Sequence, residues 1–565
     1  MKKECHVVFC SLNSQYIHSS LAPWCLLAGV QEYCHDEISA KVVEGTINEA
    51  PHQVLERIRS GCPSVVGFCC YIWNITAVLS LVEMVKEAIP DCVVILGGPE
   101  VSYNAEEVLQ SSPLVDYIIS GEGEKPVAQL LNAIHQGLIV EEISGLCYRK
   151  GEEIRISAPH TPCGIPPSPY LQSYFEALNG RIAYLETSRG CPYSCAFCLS
   201  GRCGGVRYYD LERAKRELLL LANSGTQTIK LVDRTFNADR KRAKDLFRFI
   251  IEQYGKKIPV GICFHFEIAG DLLDVETIEL LAAASPGSMQ FEIGLQSFHT
   301  KTLTVINRKT HVEQLKKNIA ALLANGNAHI HIDLIAGLPY EDLESFKESF
   351  HIAFALRPHM LQLGFLKLLH GAPMRESPEQ FPCEYHQKPP YEVMKTPWIT
   401  TKELELLHHT EQALDRLYNR GRFRRTVSYL LSAMEVSPFT LFSEFGQFLS
   451  RTEVPHQSLD QFTAVVYDFF GSQSGVEQTA LRDVMVCDRL ATNASGKLPK
   501  VLQIQDPALK REIKNLEQTV KRKKEIRRGY ALLYGESCLV YADYENKNPV
   551  TGEFTLNQIS YEEKV

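Results

Sequence analysis

Short apolar runs separated by amphipathic stretches fill the first quarter of the chain. His6-Val-Val-Phe-Cys10, Ala40-Lys-Val-Val43, Val65-Val-Gly-Phe-Cys69, Cys92-Val-Val-Ile-Leu96 and Tyr117-Ile-Ile-Ser120 are strand-sized. Each is followed by residues with helical spacing of apolar positions, near 21–33, 54–59, 76–88, 105–109 and on to His135. That alternation predicts a parallel, doubly wound, Rossmann-like α/β sheet over residues 1–140. Ligands of such sheets bind beyond the carboxyl ends of the strands. The rim there carries Ser11, Asn13, Tyr71 and Asn74, the Gly97-Gly98-Pro99 turn and the Gly121-Glu-Gly123-Glu124 turn. Glycine at a strand end lets a backbone approach a ligand closely.

Residues 141–180 read as a connection. Leu146-Cys-Tyr-Arg149 and Glu153-Ile-Arg-Ile156 predict a hairpin turning at Lys150-Gly151, and the Pro-rich stretch 159–171 predicts a linker. A second alternation fills 181–375. Strands are expected at 182–185, 228–232, 260–266, 288–293, 329–335 and 360–366, and helices near 211–222, 240–253, 275–284, 311–325 and 344–355. Beyond Glu376 the alternation stops. Helices are expected at 400–417, 423–434, 459–470 and 507–533, and the segment from about 537 to 560 reads as strands on either side of 546–549, which gives a mostly helical domain over 376–565.

Cys191, Cys195 and Cys198 stand at C-x3-C-x2-C spacing just after the apolar run 182–185. A structural zinc or an ordinary electron-transfer cluster needs four soft ligands, so three cysteines are informative. A [4Fe–4S] cluster held by three thiolates leaves one iron open. Cys203 is the alternative fourth ligand, and a zinc site lacking a partner is the blander reading. The spacing, with aromatic Phe197 just before the last cysteine, resembles the signature of the radical S-adenosylmethionine (SAM) enzymes. The resemblance implies an open (β/α)6 partial TIM barrel over 181–375. It implies that the open iron chelates SAM and that reductive cleavage gives a 5′-deoxyadenosyl radical. It also implies an electron donor such as flavodoxin or ferredoxin.

Further resemblances fall in chain order at the expected strand ends. Asp233 and Asn237 match the turn that holds the SAM amino group, although Asn237 also suits a helix N-cap. Glu292-Ile-Gly294-Leu-Gln296-Ser297 is similar to the family segment near the SAM ribose and methionine. Ile335 and Gly337 match the stretch that packs against adenine. His265 and Glu267 share one face of their strand by period two, which makes them candidate catalytic groups or a structural hydrogen-bonded pair. Lys367 and His370 mark the sixth strand end without an assigned role. The N-terminal sheet resembles the cobalamin-binding domain that precedes one branch of the family. That implies cobalamin contacts at Ser11, Asn13, Tyr71, Asn74, Gly97, Gly98, Gly121 and Gly123. The cobalt-binding Asp-x-His-x-x-Gly motif is absent, and His18, His35, His52 and His135 are read as surface or loop residues with no cobalt role. The C-terminal part resembles an uncharacterised domain of one subgroup.

Composition narrows the setting. The 565 residues carry 59 Lys and Arg against 67 Asp and Glu, a net charge of −8, so there is no general attraction for nucleic acid. A local basic run from Lys521 to Arg528 reads as a solvated helix face, or as a contact for RNA or an acidic partner. No apolar run is long enough for a membrane span and no leader is evident, which suggests a cytoplasmic protein. Its 18 cysteines, often inside apolar runs, suit a reducing compartment. With the resemblance, these features imply a cobalamin-dependent radical SAM methyltransferase acting on an unactivated centre. The alternatives are a cobalamin-assisted cyclase or rearrangement enzyme, a methylthiotransferase, and a corrinoid or iron–sulfur carrier without turnover.

Overall fold

The computed structural model describes residues 5–160, 164–452, 458–504, 529–535 and 538–560. β1 (Cys5–Asn13), β2 (Ile38–Thr46), β3 (Val65–Cys69), β4 (Val93–Gly97) and β5 (Tyr117–Ile119) run parallel. The expected hairpin forms as β6 (Leu146–Lys150) and β7 (Glu153–Ile156), but it is more than a connection. It pairs antiparallel with β5 and completes a seven-stranded sheet of order β2-β1-β3-β4-β5-β6-β7. Arg149 fixes it there by donating to the carbonyls of Leu109 and Pro113 at 2.6 and 2.8 Å. Helices 51–59, 75–88 and 105–111 pack their apolar stripes on the sheet, and Val8, Val66, Phe68, Val94, Leu96 and Ile118 meet them in one core. Burial of such side chains, at roughly 25 cal/mol per Å² of apolar surface, is the main force holding these layers together.

The next segment gives β8 (Ala183–Leu185), then an antiparallel hairpin of β9 (Ser188–Cys191) and β10 (Gly205–Tyr208) around the cysteine loop. This hairpin was not expected, because Ser-Arg-Gly-Cys carries no strand periodicity. β11 (Thr228–Leu231) pairs in parallel with β8 and with β12 (Cys263–Ile268). β12 begins later than the expected 260, since Val260 is exposed and Gly261 takes φ +97 in the preceding turn. β13 (Met289–Gln296) and β14 (Ala328–Ala336) are parallel, and β15 (Met360–Phe365) follows next to β14.

The chain divides into two compact units. The first comprises Met1–Ala283, Leu303–Thr310 and Phe365–Pro397; the second comprises Ala284–Thr302, His311–Gly364 and Trp398–Val565. In the second unit the helices Thr401–Leu414, Arg424–Met434 and Leu459–Gly471 match expectation closely. Two more, Pro438–Arg451 and Gln478–Thr492, were missed. The first carried a readable signal, because Ser437 caps it by accepting from the Thr440 N–H and Pro438 sits at its first position. Its Phe445 packs against Phe462 and Phe470.

Residues 530–533 are strand, not the helix end expected there. Tyr530–Leu533 pairs antiparallel with Cys538–Lys547, so Leu532 and Leu533 are buried against Leu539 and Cys538. The remainder of that expected helix and the whole basic run 521–528 lie outside the described residues. Among the described residues no helix is long and apolar enough to cross a membrane.

Candidate functional site

Cys191 is the last residue of β9, so the cysteine loop leaves directly from a paired strand. Gly190 before it takes φ +96, a conformation an L side chain would strain. Asp233, at the end of β11, fastens the start of β9. Its carboxylate accepts from the Thr187 N–H at 2.9 Å, the Thr187 hydroxyl at 2.7 Å and the Ser188 hydroxyl at 2.5 Å. Burial raises its pKa from 3.8 to about 6, against the pull of those three donors.

Each cysteine sulfur has a polar neighbour. Thr235 Oγ1 lies 3.5 Å from Cys191 Sγ, the Ser200 N–H reaches Cys198 Sγ at 3.4 Å, and Arg308 Nη1 approaches Cys195 Sγ at 3.8 Å. Burial pushes the Cys195 thiol up while Arg308 opposes it. Donors directed at the Cys195 and Cys198 sulfurs suit thiolate ligands, so this set fits a cluster held by Cys191, Cys195 and Cys198. The loop is also tied down by main-chain bonds. Ala196 N–H donates to Ile306 O and Met374 N–H to Ala196 O, both at 2.9 Å, and Asn307 Nδ2 donates to Ser194 Oγ at 2.6 Å. Phe197 is half-buried in the same loop.

The strand ends nearby sort the expected residues. Asn237 is not an N-cap: Asp239 caps the helix Arg240–Gln253, while Asn237 pairs with both backbone groups of Ala269 at 2.8 and 2.9 Å. Asp233 and Asn237 therefore act first as braces, with their polar atoms engaged by the protein. On β12 the burial alternates, with Phe264, Phe266 and Ile268 inside and His265 and Glu267 on the open face, as period two requires. Lys230 of β11, paired in register with His265, stands 3.7 Å from Glu267.

A cavity of about 650 Å³ lies within the first unit, over the carboxyl ends of β1, β3, β4, β5, β8, β11 and β12. Asn13, Tyr71, Gly97, Gly98, Gly121 and Gly123 line it as expected. Gly121 has φ +89 and open space where a Cβ would project, so the wall there is a cradle for something bulky. Gly98 has φ +117 for a different reason, since a Cβ would meet Cys70 O at 2.4 Å. Tyr71 and Trp73 stack with rings 4.4 Å apart and 4° from parallel, and both line the cavity. A glycine-walled cavity with a flat aromatic platform fits a corrin.

Two expected contacts do not reach the cavity. Ser11 is buried with its hydroxyl shared with Ser20 Oγ at 2.9 Å. Asn74 is fully buried and ties the Leu12 and Cys69 carbonyls together, each at 3.0 Å. Conversely, His18, Tyr184, Lys230 and Arg234 line the cavity and were not among the residues expected there. His18, expected as a surface or loop residue, has its Nδ1 2.7 Å from Tyr184 Oη. Lys230 had a readable signal, being a cation at an alternating position of a buried strand.

In the second unit Glu292, Gly294 and Gln296 share the open face of β13, beside Asp333 and Ile335 on β14. Glu292, His331 and Asp333 bring their ligand atoms within 4.8 Å of one another. Gln296 takes φ +74 at the irregularity where the β13–β14 register shifts. Gly337 is buried with φ +86 just past β14. Ser297, by contrast, is fully buried, donating to Glu341 at 2.5 Å and accepting from the His299 N–H at 2.8 Å. Its hydroxyl is part of the fold.

Three family models match the chain: "B12 binding domain" over residues 12–131, "Radical SAM superfamily" over 185–353, and "Protein of unknown function (DUF4080)" over 379–536. The chain is similar to the 2-(S-pantetheinyl)-carbapenam-3-carboxylate methyltransferase of Streptantibioticus cattleyicolor, 27% identical over 51% of this chain and 44% of that protein. It is 25% identical to the anaerobic magnesium-protoporphyrin IX monomethyl ester cyclase of Rubrivivax gelatinosus, over 54% of this chain and 57% of the cyclase. The chain spans about half the length of the curated relatives it matches. Among solved structures, the cobalamin-dependent S-adenosylmethionine radical enzyme OxsB, with aqua-cobalamin and S-adenosylmethionine bound, shares the fold at TM-score 0.59 and 14% identity. The match covers 92% of this chain and 81% of OxsB.

Proposed function

We propose, for a chain that belongs to the radical SAM enzymes carrying an N-terminal cobalamin-binding domain, a methyl transfer from SAM to an unactivated carbon or phosphorus centre. One observation carries this reading: a single cavity joins the glycine rim of the first sheet to the strand ends β8, β11 and β12. A carrier needs only one of those walls; a transferase needs both.

When bound, the [4Fe–4S] cluster supplies the electron that cleaves SAM, and cobalamin supplies a methyl carrier. Cys191, Cys195 and Cys198 would hold the cluster. Asp233, Arg308 and the Ala196 main-chain bonds set that loop. Gly97, Gly98, Gly121 and Gly123, with Tyr71 and Trp73, would seat the corrin. Glu292, Gly294, Gln296, Ile335 and Gly337 remain the contacts assigned to SAM. Glu267, with Lys230 3.7 Å away, would hold or accept a proton at its carboxylate on the substrate side, next to His265 on the same strand face. The apolar part of the lining, with Phe9, Phe68, Leu96 and Ile119, would leave few polar groups to hold water on that wall. A small redox protein such as flavodoxin or ferredoxin would deliver the electron.

The test is anaerobic reconstitution with iron, sulfide and hydroxocobalamin, followed by incubation with methyl-deuterated SAM and a reductant. Methyl transfer requires S-adenosylhomocysteine and 5′-deoxyadenosine together, with deuterium in the product. A second reading, a cyclase or rearrangement enzyme, is favoured by the Rubrivivax relative and would give 5′-deoxyadenosine without S-adenosylhomocysteine. A cluster-loaded protein that forms neither compound is a carrier, and the proposal falls.

A further inference from the structure

The Gly121–Glu124 turn does more than line the cavity. Its two glutamates, which line the cavity together with Arg189, also grip the strand that ends in the first cluster cysteine. Arg189 of β9 donates through Nη1 to Glu122 at 2.6 Å and through Nη2 to Glu124 at 2.6 Å. Its Nε donates to both oxygens of Glu186 at 3.0 Å. Arg207 on β10 donates to both oxygens of the same Glu122 at 2.8 and 2.6 Å, and the Tyr209 hydroxyl donates to Glu186 at 2.7 Å. Side-chain exposure is 16% for Arg189, 26% for Glu122 and 8% for Glu124, so these charges are largely screened from water and depend on one another. Burial alone would push the Glu124 carboxyl up, yet Arg189 holds it below the ordinary range.

The covalent path across this network is short. Glu122 lies between the two cavity glycines, and Arg189 is separated from Cys191 only by Gly190, whose φ is +96. Anything seated against Gly121 and Gly123 therefore bears on a backbone whose next side chains hold β9 in place. A planar guanidinium satisfied by three carboxylates has one arrangement that satisfies them all, so a shift of the turn must move the strand or break the fork.

We propose that Arg189 is a positioning residue that couples corrinoid loading of the cavity to the setting of the cysteine loop, so that each site is completed by the other. This rests on the reading that the cavity takes a corrinoid and the loop a cluster. Coupling of this kind is reciprocal: if the corrinoid orders the loop, the loaded loop must tighten corrinoid binding by the same factor.

The experiment measures hydroxocobalamin affinity of the full chain by absorbance, once with the cluster reconstituted and once without it. In the wild type the cluster-loaded protein should bind about 5- to 150-fold more tightly, the usual range of coupling between sites. Arg189→Gln should bring that ratio close to one while iron content is kept. It should also remove the shift in cluster midpoint potential that hydroxocobalamin produces in the wild type. Arg189→Lys, which keeps the charge but not the fork, should restore part of the ratio. Glu122→Gln leaves Arg189 held by Glu124 and Glu186, and should lower the ratio without abolishing it. A ratio of one in the wild type, or an unchanged ratio in both Arg189→Gln and Glu122→Gln, overturns the coupling. If the wild type binds no hydroxocobalamin in either state, the corrinoid reading fails and the coupling with it. Where Arg189→Gln does not fold, Glu122→Gln decides alone.

Discussion

Asp233 is buried with three donors around it, and it still binds its proton at about pH 6 rather than 3.8. A carboxyl whose folded-state pKa lies above its unfolded value contributes most stability below the unfolded pKa, and loses it as pH rises through the folded one. A displacement of about 2 pH units corresponds to about 3 kcal/mol in full, of which about 2 kcal/mol falls between about pH 4.5 and pH 7.5. Asp233→Asn removes the titration but keeps the shape. It also costs acceptor capacity toward Thr187 and Ser188, on the order of 1–3 kcal/mol, at every pH alike. The variant should therefore gain on the wild type by about 2 kcal/mol as pH rises from about 4.5 to 7.5. Urea unfolding of the cluster-free protein at both pH values measures this, and taking the difference between variant and wild type cancels other titrating groups. A difference that stays constant with pH refutes the reasoning, because Asp233 would then ionise alike in both states.

The other predictions are more local. Cys198→Ala should abolish 5′-deoxyadenosine formation while leaving the first sheet folded, checked by product assay and circular dichroism. Gly98→Ala meets the Cys70 backbone, which cannot give way, so it should lower the unfolding temperature and corrinoid affinity together. Gly121→Ala projects into open space and should weaken corrinoid binding at a stability cost of only about 1 kcal/mol, from its positive φ. Asp488→Ala removes the acceptor for the Arg425 and Thr426 N–H groups, the Thr426 hydroxyl and the Arg425 guanidinium. Arg425 is partly exposed and keeps Glu553, so the cost is that of the N–H and hydroxyl groups left without an acceptor, about 1–3 kcal/mol, seen as earlier proteolytic cleavage in the second unit.

What the sequence disclosed follows from what is local in it. The strands of the first sheet and the cysteine spacing are written in consecutive residues, and period two placed His265 and Glu267 on the open face. Asn237 was read as a SAM contact or, by the local rule of capping, as a helix N-cap, yet its partner is Ala269, on the far side of a helix and a strand. Ser297 and Asn74 look like site residues by position, and only their tertiary neighbours show that their polar atoms are already engaged. Arg189 was invisible for the same reason. Its partners Glu122 and Glu124 lie in another α/β segment, and nothing in Thr-Ser-Arg-Gly-Cys announces them.

The two bonds at Ala196 bear on how the protein comes to be made. The cysteine loop is complete only when Ile306 and Met374 are present, since one takes its N–H and the other supplies a donor to its carbonyl. During synthesis the three thiols leave the ribosome well ahead of both. At roughly 5–20 residues per second, about 10–40 s pass before the second brace exists. A cluster inserted in that interval would meet a loop that still lacks these two bonds. A fragment ending before Met374 should take up iron loosely and lose it on gel filtration.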